Sequence, residues 1–412
     1  GAVRMLDTAA QLEACEADVV DAALVIDALF GVGLTRAIEG HMAEVVQRML
    51  LAGRTLAVDI PSGIETDTGR TLGIAVAAER TVTMAARKIA LVSSPGFAAA
   101  GELEIADIGI PAGLIAAAGA AGLVEERDVR DWLPHPQVLE HKGKRGHVLV
   151  IGGSPGMRGA GRLAAHAALR AGAGLCTLAA EGELEAPDSV MTRSLAAGAG
   201  IGELLAGKAA IVIGPGLGTS AAAVARVREV LASKLPAVLD ADALNLLAKD
   251  AVSIADAAGP VVLTPHPGEA ARLLGTTVPE VEADRLGAAR ALAAKTRAVV
   301  VLKGARTIVC RGGRDVKHDG LAFCAINPTG GPSLATGGSG DVLSGTIGAL
   351  LAQGLPAVDA ARVGVYVHGA AGDALSRVHG LRGVMSSDLP EAIAGVIQAL
   401  SARPNARSFP SV

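Results

Sequence analysis

A glycine-rich stretch near the C-terminus carries the residues with the clearest chemical use. Residues 337–340 contain three glycines and Ser339, and Asp341 follows directly, ahead of a long apolar segment. That apolar pattern predicts a buried helix, so the glycines would lie at its N-terminus, where free N–H groups and the helix dipole favour an anion. A carboxylate beside such a site can serve as the base for an attacking hydroxyl. The stretch indicates phosphoryl transfer, although in isolation it fits an ordinary glycine-rich turn equally well.

The composition limits the protein that can position this stretch. Of 412 residues, 50% are hydrophobic and 53 are Gly, whereas the aromatics amount to one Trp, one Tyr and four Phe. The core must therefore consist of Ala, Val, Leu and Ile, as in α/β folds. A net charge of −4 gives no sign of a nucleic-acid or anionic-membrane partner. Gly and Pro interrupt the apolar runs, so we predict no transmembrane helix.

The four cysteines favour a reducing compartment. They are too few and too scattered for a disulfide framework, and no two form a C-x-x-C pair: Cys15, Cys176, Cys310 and Cys324. We recognise no signal peptide and expect a cytoplasmic protein. The first residue is Gly rather than Met, so a fragment is compatible with the sequence.

Two predicted strands in the first quarter of the chain end near an aspartate. The apolar run 22–30 contains Asp27, and a second strand ends at Asp59, closely followed by Ser62. An amphipathic segment, 41–51, lies between them, which predicts a parallel βαβ unit with ligands at the carboxyl ends of its strands. Two carboxylates and a hydroxyl suit a cation or ribose hydroxyls. Spacing alone favours helix caps and turns somewhat more.

Two further strand candidates, 81–84 and 103–108, complete the first part of the chain before its composition shifts to an Ala/Gly run. We predict a first domain at 1–111, a linker at 112–141 and a second domain at 142–402.

Five predicted strands of the second domain each end in a polar or glycine-rich turn with a helical pattern after it. They are residues 148–151, 210–213, 237–239, 261–263 and 299–302. This order predicts a doubly wound α/β domain with its site along the carboxyl edge of the sheet. The first turn has neither the G-x-G-x-x-G nor the GxxxxGK[ST] spacing, so a Rossmann or Walker site is disfavoured.

Single residues in these turns are weak signals. His266 fits a rigid surface loop, Lys303 a solvated charge, and Asp240 and Asp242 helix caps. His368 lies on an apolar helical stretch and is interpreted as a buried core histidine. Several such turns beside one glycine-rich helix start favour a common site.

Several long motifs span these turns: KGKRGHVLVIGGS, GPGLG, LDADALN, LTPHPGEAARLL, VLKGART and LATGGSGDVLSG. In this order they resemble the ADP/ATP-dependent NAD(P)H-hydrate dehydratase family, which has the ribokinase-like fold. In the first domain, DALFGVGL, AVDIPSG and ADIGIP resemble the NAD(P)H-hydrate epimerase domain. The matches cover residues 18–111 and 142–396. The implied architecture is a truncated Rossmann-like epimerase domain followed by a ribokinase-like, doubly wound α/β domain.

The resemblance implies repair of a damaged nicotinamide nucleotide. The family phosphorylates the ring hydroxyl of NADH hydrate or NADPH hydrate from ADP and then eliminates phosphate, so the S epimer returns NAD(P)H, with AMP as the other product. Mg²⁺ is expected with the nucleotide phosphates. We further expect a homo-oligomer and no nucleic-acid or membrane partner.

The resemblance also implies roles for residues of the second domain. Asp341 is implied as the base, and Gly338, Ser339 and Gly340 as the groups that stabilise charge on the transferring phosphate. The implied nucleotide site comprises Lys303, Gly304, Ala305, Arg306, Thr307 and Gly340. The implied hydrate site comprises Ala160, Gly218, His266 and Asp341.

In the first domain, the resemblance implies potassium ligation by Asp27 and Ser62. The implied hydrate-binding residues are Gly31, Val32, Gly33, Leu34, Thr35, Arg36, Ala37 and Asp59. The epimerase family has an earlier strand and an Asn- and Gly-rich loop, and this chain begins downstream of both. Impaired epimerisation is therefore expected.

Two further departures concern the second domain. Gly330-Gly331-Pro332 stands where the family usually has Gly-Asn-Pro or Gly-Asn-Ala, and an insert at 310–323 is predicted as a hairpin on the rim of the site. Two other interpretations stay open: a small-molecule kinase of the same fold, and a non-catalytic nucleotide-binding module, above all for the N-terminal half.

Overall fold

Two separate sheets organise the chain. The protein is described by a computed structural model for residues 3–135, 139–312 and 324–402. The first unit comprises the residues up to Ala121 together with Pro279–Leu286, and the second comprises Gly122–Val278 and the residues from Gly287 onward.

The first unit contains a four-stranded parallel sheet in the order β1-β2-β3-β4. Its strands are β1 (Val25–Asp27), β2 (Thr55–Val58), β3 (Arg80–Met84) and β4 (Glu102–Ala106). Its helices are α1 (Ala9–Ala14), α2 (Glu16–Val20), α3 (Gly40–Met49), α4 (Ile89–Val92), α5 (Phe97–Ala100) and α6 (Ala112–Ala118). The predicted βαβ unit is confirmed: β1, α3 and β2 follow in order, and β1 pairs with β2 in parallel.

The second unit contains a ten-stranded sheet in the order β5-β14-β13-β12-β11-β10-β9-β6-β7-β8. The strands are β5 (Gly122–Leu123), β6 (His147–Ile151), β7 (Leu175–Glu181), β8 (Met191–Leu195), β9 (Ala210–Ile213), β10 (Ala237–Leu239), β11 (Val261–Leu263), β12 (Val299–Leu302), β13 (Ile308–Cys310) and β14 (Cys324–Ile326). Among the strands that the structure describes, β13 alone runs antiparallel to its neighbours. The carboxyl ends of β6, β9, β10, β11 and β12 therefore meet at one edge, as the sequence predicts.

Helices follow most strands in the remainder of the chain. They are α7 (Glu126–Trp132), α8 (Arg158–Arg170), α9 (Ala221–Ala232), α10 (Asp242–Ala248), α11 (Pro267–Leu274), α12 (Val278–Ala283), α13 (Arg285–Thr296), α14 (Ser339–Ala352), α15 (Ala357–His379) and α16 (Leu389–Ser401). The large core of the second unit consists mostly of Ala, Val, Leu and Ile. In the part of the chain that the structure describes, no helix is both long and apolar enough to span a bilayer.

The segment predicted as a linker, 112–141, contains α6, β5 and α7, and β5 pairs with β14 in the large sheet. The sequence predicts no disulfide framework, yet two of the four cysteines pair. Cys310 and Cys324 face each other on the antiparallel strands β13 and β14 and form a disulfide. Strand pairing thus joins residues whose sequence spacing gave no hint. The predicted hairpin between them lies largely outside the described residues.

The helix α14 is buried on all sides and packs against α8, α15, β6, β9 and β10. Two glycines allow this close approach. A Cβ atom on Gly345 would lie 2.0 Å from the Ala164 carbonyl oxygen of α8, and one on Gly348 would lie 2.3 Å from Cγ2 of Val212 in β9. Contacts this tight fix the position of α14 and hence of its first turn at the edge of the sheet.

We predict that Gly345→Ala lowers the free energy of unfolding of the second unit by about 1–3 kcal/mol or more, because the added methyl forces α8 and α14 apart. Gly395→Ala in α16 is the matched control. No atom lies within 4 Å of its Cβ position, so alanine should stabilise that helix by about 0.5–1 kcal/mol. Calorimetric melting of both variants measures this; equal melting temperatures would contradict the packing argument.

Candidate active site

The first turn of α14 places backbone N–H groups at the carboxyl edge of the large sheet. Gly338 caps the helix with φ of 91°, a left-handed conformation that suits glycine. A side chain there would also meet Leu163 and Ser386, at 2.6 and 2.8 Å from its Cβ. The Cβ position of Gly340 lies 3.2 Å from Nζ of Lys303. The predicted anion site thus has a cation beside its glycines.

Asp341 lies in the same turn and is only partly exposed. Within the described residues, no hydrogen bond to its carboxylate is found. Burial, and after it the negative charge of Asp240, raises the pKa of Asp341, whereas the ammonium of Lys303 lowers it; the net pKa is about 7. A carboxyl with this pKa can accept a proton near neutral pH, which is the property that a general base requires.

Lys303 is held by a carboxylate at the end of β10 and lies near a second one in the first turn of α11. Its Nζ donates to Oδ1 of the fully buried Asp240 at 2.8 Å and lies 3.8 Å from Oε2 of Glu269. Burial lowers the pKa of Lys303, but the charges of Asp240 and Glu269 outweigh it, so the net pKa is raised. Lys303 is therefore a fixed cation at the start of α14.

His266 caps α11 on the neighbouring turn. Its ring Nδ1 accepts a hydrogen bond from the Gly268 N–H at 3.0 Å, and its backbone N–H donates to Oε2 of Glu269 at 2.8 Å. Burial lowers the pKa of His266, as does the charge of Lys303. A neutral ring whose Nδ1 accepts carries its proton on Nε2, so His266 presents a donor at the edge of the sheet.

The turns after β9 and β10 are joined by Gly218, whose N–H donates to Oδ2 of Asp242 at 2.8 Å. Ala160 in α8 lies against the same turn, since a Cβ on Gly216 would be 3.3 Å from that of Ala160. The implied hydrate residues thus line adjoining turns of one edge.

The implied nucleotide segment connects β12 with β13. Thr307 donates from Oγ1 to the Gly304 carbonyl oxygen at 2.9 Å, and Arg306 adopts a positive φ of 57°. Arg306 donates from Nη1 to the Pro328 carbonyl oxygen at 3.0 Å. The Thr307 bond closes a turn that includes Ala305, and the Arg306 bond ties the segment to the chain after β14.

His368 was predicted as a buried core histidine, and it is buried. Its Nε2 lies 3.0 Å from the carbonyl oxygen of Ser339 and 3.2 Å from its Oγ. Burial lowers the pKa of His368 to about 4, so the ring is neutral, and it donates from Nε2 to the carbonyl oxygen. Sequence reasoning missed this support of the glycine-rich turn, because the two residues are distant along the chain.

In the first unit, Asp27 and Ser62 come together at the ends of β1 and β2. The buried Asp27 carboxylate accepts from Oγ of Ser62 at 2.6 Å and from its N–H at 2.7 Å. Ser62 Oγ in turn accepts from the Phe30 N–H at 2.9 Å. No ion pair to Asp27 is formed by any described residue. A buried carboxylate without a counter-ion is costly, so this site suits a cation.

Asp59 has a different environment. Its Oδ1 accepts from Nζ of Lys88, from the Met84 N–H at 2.9 Å and from Oγ1 of Thr83 at 3.3 Å. Burial raises the pKa of Asp59, but the hydrogen bonds and the charge of Lys88 outweigh it, so the net pKa is lowered. Sequence reasoning missed Lys88; its place in the turn after β3, at the same edge of a parallel sheet, could have indicated it.

A cavity of about 350 Å³ is formed by the chain that follows β1. Its lining is Leu29, Phe30, Gly31, Gly33, Leu34, Thr35 and Arg36. Five implied hydrate residues are thus included, whereas Val32, Ala37 and Asp59 are not among the lining residues. Val32 points outward, with 57% of its surface exposed.

A doubly wound sheet with an anion-binding helix start, a lysine and a basic aspartate defines a ribokinase-like domain for phosphoryl transfer. The family model described as NAD(P)H-hydrate dehydratase matches residues 148–394. A second model, described as YjeF-related protein N-terminus, matches residues 2–90. The bifunctional NAD(P)H-hydrate repair enzyme of Moorella thermoacetica is 44% identical over 97% of this chain and 77% of its own length. The chain belongs to the family of bifunctional NAD(P)H-hydrate repair enzymes.

Two more relatives match the second unit. The ADP-dependent (S)-NAD(P)H-hydrate dehydratase of Neisseria meningitidis is 42% identical over 61% of this chain and 85% of its own length. Among solved structures, the Bacillus subtilis ADP/ATP-dependent NAD(P)H-hydrate dehydratase, co-crystallised with ATP and Mg²⁺, superposes with a TM-score of 0.60 at 31% identity, over 69% of this chain and all of that one. The ribokinase-like prediction is confirmed.

The raised pKa of Asp341 predicts a cost in stability. The group ionises at about 3.8 when unperturbed and at about 7 in the folded chain, so ionisation opposes folding increasingly as pH rises between these values. Asp341→Asn should therefore stabilise the second unit by on the order of a few kcal/mol above pH 7, and not below about pH 4. Melting temperatures across this pH range test this. A difference that does not grow with pH would contradict the assigned pKa.

Proposed function

We propose that this chain dehydrates the S epimer of NAD(P)H hydrate to NAD(P)H with ADP as the phosphoryl donor, releasing AMP and phosphate. The observation that carries the proposal is Asp341, a carboxyl with a pKa of about 7 on a glycine-lined helix start next to Lys303. The names of the Neisseria and Bacillus relatives support the donor and the substrate.

The chemistry follows from the arrangement. Asp341 takes the proton of the ring hydroxyl, and the resulting oxygen attacks the terminal phosphorus of ADP, so AMP leaves. The N–H groups around Gly338, Ser339 and Gly340, with Lys303, bind the charge that develops on the transferring phosphate. Phosphate is a better leaving group than hydroxide, so it departs, a proton from the neighbouring ring carbon passes to water, and the double bond that forms restores the ring. Segment 303–307 binds the nucleotide, and Ala160, Gly218 and His266 bind the hydrate.

Mg²⁺ fits this site as a companion of the nucleotide. The described residues hold no group of three or more His, Cys, Asp and Glu side chains placed to form a metal cage. Mg²⁺ is commonly held by substrate phosphates and water with few protein ligands, where it neutralises phosphate charge. We assign it no protein ligand.

The assay that tests the function combines NADH hydrate with ADP or ATP and follows the absorbance of reduced nicotinamide. We predict recovery of NADH with equal amounts of AMP and phosphate, and a higher kcat/KM with ADP than with ATP. Asp341→Asn should lower turnover about a hundredfold or more while ADP binding, measured by calorimetry, changes little. A stable phosphorylated product would establish the small-molecule kinase instead, and nucleotide binding without turnover a non-catalytic module.

For the first unit, we propose that the hydrate binds in the cavity of the chain after β1 and that Asp59 contributes to this site. We further propose that Asp27 and Ser62 bind K⁺. The buried, uncompensated charge of Asp27 supports the cation site. Asp59, kept ionised by Lys88, would stabilise positive charge on the hydrate ring. A cytoplasmic location and a homo-oligomer stay predictions of the sequence.

Potassium binding should raise the melting temperature of the first unit, because a ligand that binds only the folded state stabilises it by mass action. We predict a higher melting temperature in KCl than in choline chloride at equal ionic strength, and no such difference in Asp27→Asn. Asp67→Asn, at an exposed position, is the matched control and should keep the potassium response. A potassium response that survives Asp27→Asn would exclude this site.

A further inference from the structure

One buried carboxylate connects three elements of the second unit. Asp240, at the end of β10, is 1% exposed. Its Oδ1 accepts from Nζ of Lys303 at 2.8 Å and from the Ala241 N–H at 2.9 Å, and its Oδ2 accepts from Oγ of Ser344 at 2.6 Å. Both oxygens are therefore engaged, and the carboxylate cannot turn without breaking bonds to β12 or α14.

The first consequence concerns Lys303. A lysine side chain is long and flexible, so an ammonium at a defined position needs a tether. Asp240 supplies that tether, and Nζ of Lys303 lies 3.2 Å from the Cβ position of Gly340. The ammonium is thereby fixed beside the N–H groups of the anion site before any nucleotide binds.

The second consequence concerns Asp341. Ser344 follows Asp341 by three residues, so both lie on the same face of α14. The Asp240 carboxylate that binds Ser344 thus faces the side of the helix that carries the base. The other charged groups acting on Asp341 are Asp242 on α10, Glu269 on α11 and Lys303. Across from this turn, His368 on α15 is neutral.

We propose that Asp240 is a positioning residue of the dehydration reaction, which fixes the Lys303 ammonium at the anion site and supplies the negative charge that keeps Asp341 a proton acceptor. This inference rests on the proposed function of the site. Stability alone gives no reason for a charge here, because a buried ion pair is often no better than apolar packing. Two opposite charges at this place serve the chemistry of their neighbours.

The test compares two variants whose effects on Asp341 should have opposite signs. Asp240→Asn preserves the size of the side chain and removes its charge, so the titration of Asp341 and the acid limb of kcat/KM should move by about one pH unit or more to lower pH. Lys303→Gln removes the opposing charge and should move both to higher pH. The KM for ADP should rise in Asp240→Asn as well, since Lys303 loses its tether.

Ser344→Ala is the control, because it removes a hydrogen bond to Asp240 and leaves every charge in place. In this variant, Asp341 should titrate close to the pH at which it titrates in the unchanged chain. The carboxyl titration is followed by ¹³C NMR of aspartate-labelled protein, with Asp341→Asn to assign the signal, and it needs no turnover. If the chain is inactive but the two variants still shift the titration of Asp341 in opposite directions, the proposed function is rejected and the electrostatic role of Asp240 stands.

Other outcomes overturn the inference. If Asp240→Asn is folded and Asp341 titrates as before, or if both variants shift in the same direction, Asp240 has only a structural role. If Asp240→Asn does not fold, the titration of Asp341 in Lys303→Gln is the deciding measurement. An unchanged titration of Asp341 in that variant rejects the electrostatic link between these charged groups.

Discussion

The chemistry of the second unit depends on the complete burial of α14. Its two interior glycines, Gly345 and Gly348, let it approach the backbone of α8 and the Val212 side chain of β9 closely. Its apolar residues consequently have no exposed side. Only the first turn reaches the edge of the sheet. The charged side chains beside that turn, Asp240, Glu269 and Lys303, are largely buried, and electrostatic interactions in such surroundings are stronger than in water. Packing deep in the core thus sets the electrostatics of the edge.

Negative charge is in excess among the groups that act on Asp341 at this edge of the sheet. The negative charges of Asp240, Asp242 and Glu269 all act on Asp341, and Lys303 is the cation that opposes them there. The excess of carboxylates keeps Asp341 basic, but it would repel the phosphates of a nucleotide. N–H groups at the start of α14 and a divalent cation carried by those phosphates are the means to offset that repulsion. In the proposed reaction, the same groups would account both for the raised basicity of Asp341 and for a role of a metal carried by the nucleotide.

Much of this arrangement could be read from the sequence, because local patterns determine it. Four strands of the large sheet have the predicted bounds, since each is a short, continuous apolar run followed directly by a glycine or a polar residue. Contacts between residues that are distant along the chain had no such local sequence pattern to predict them. The bond between Ser344 and Asp240 spans 104 residues, and Lys88 meets Asp59 from 29 residues away. Nothing local distinguishes the cysteines that pair from those that do not, and β5 lies in a segment whose composition predicted a linker.

Asp59 and Asp341 show why residue type alone could not assign chemistry. Each is an aspartate at the carboxyl edge of a parallel sheet with a lysine nearby. Lys88 donates directly to Asp59, and the pKa of that carboxyl falls below its usual range despite burial. Lys303 is instead bound to Asp240, so Asp341 is left with burial and a second negative charge, and its pKa rises. One site thus holds a permanent anion suited to a cationic ring, and the other a base suited to a hydroxyl proton. The difference lies in which carboxylate each lysine contacts, and that is decided by tertiary structure.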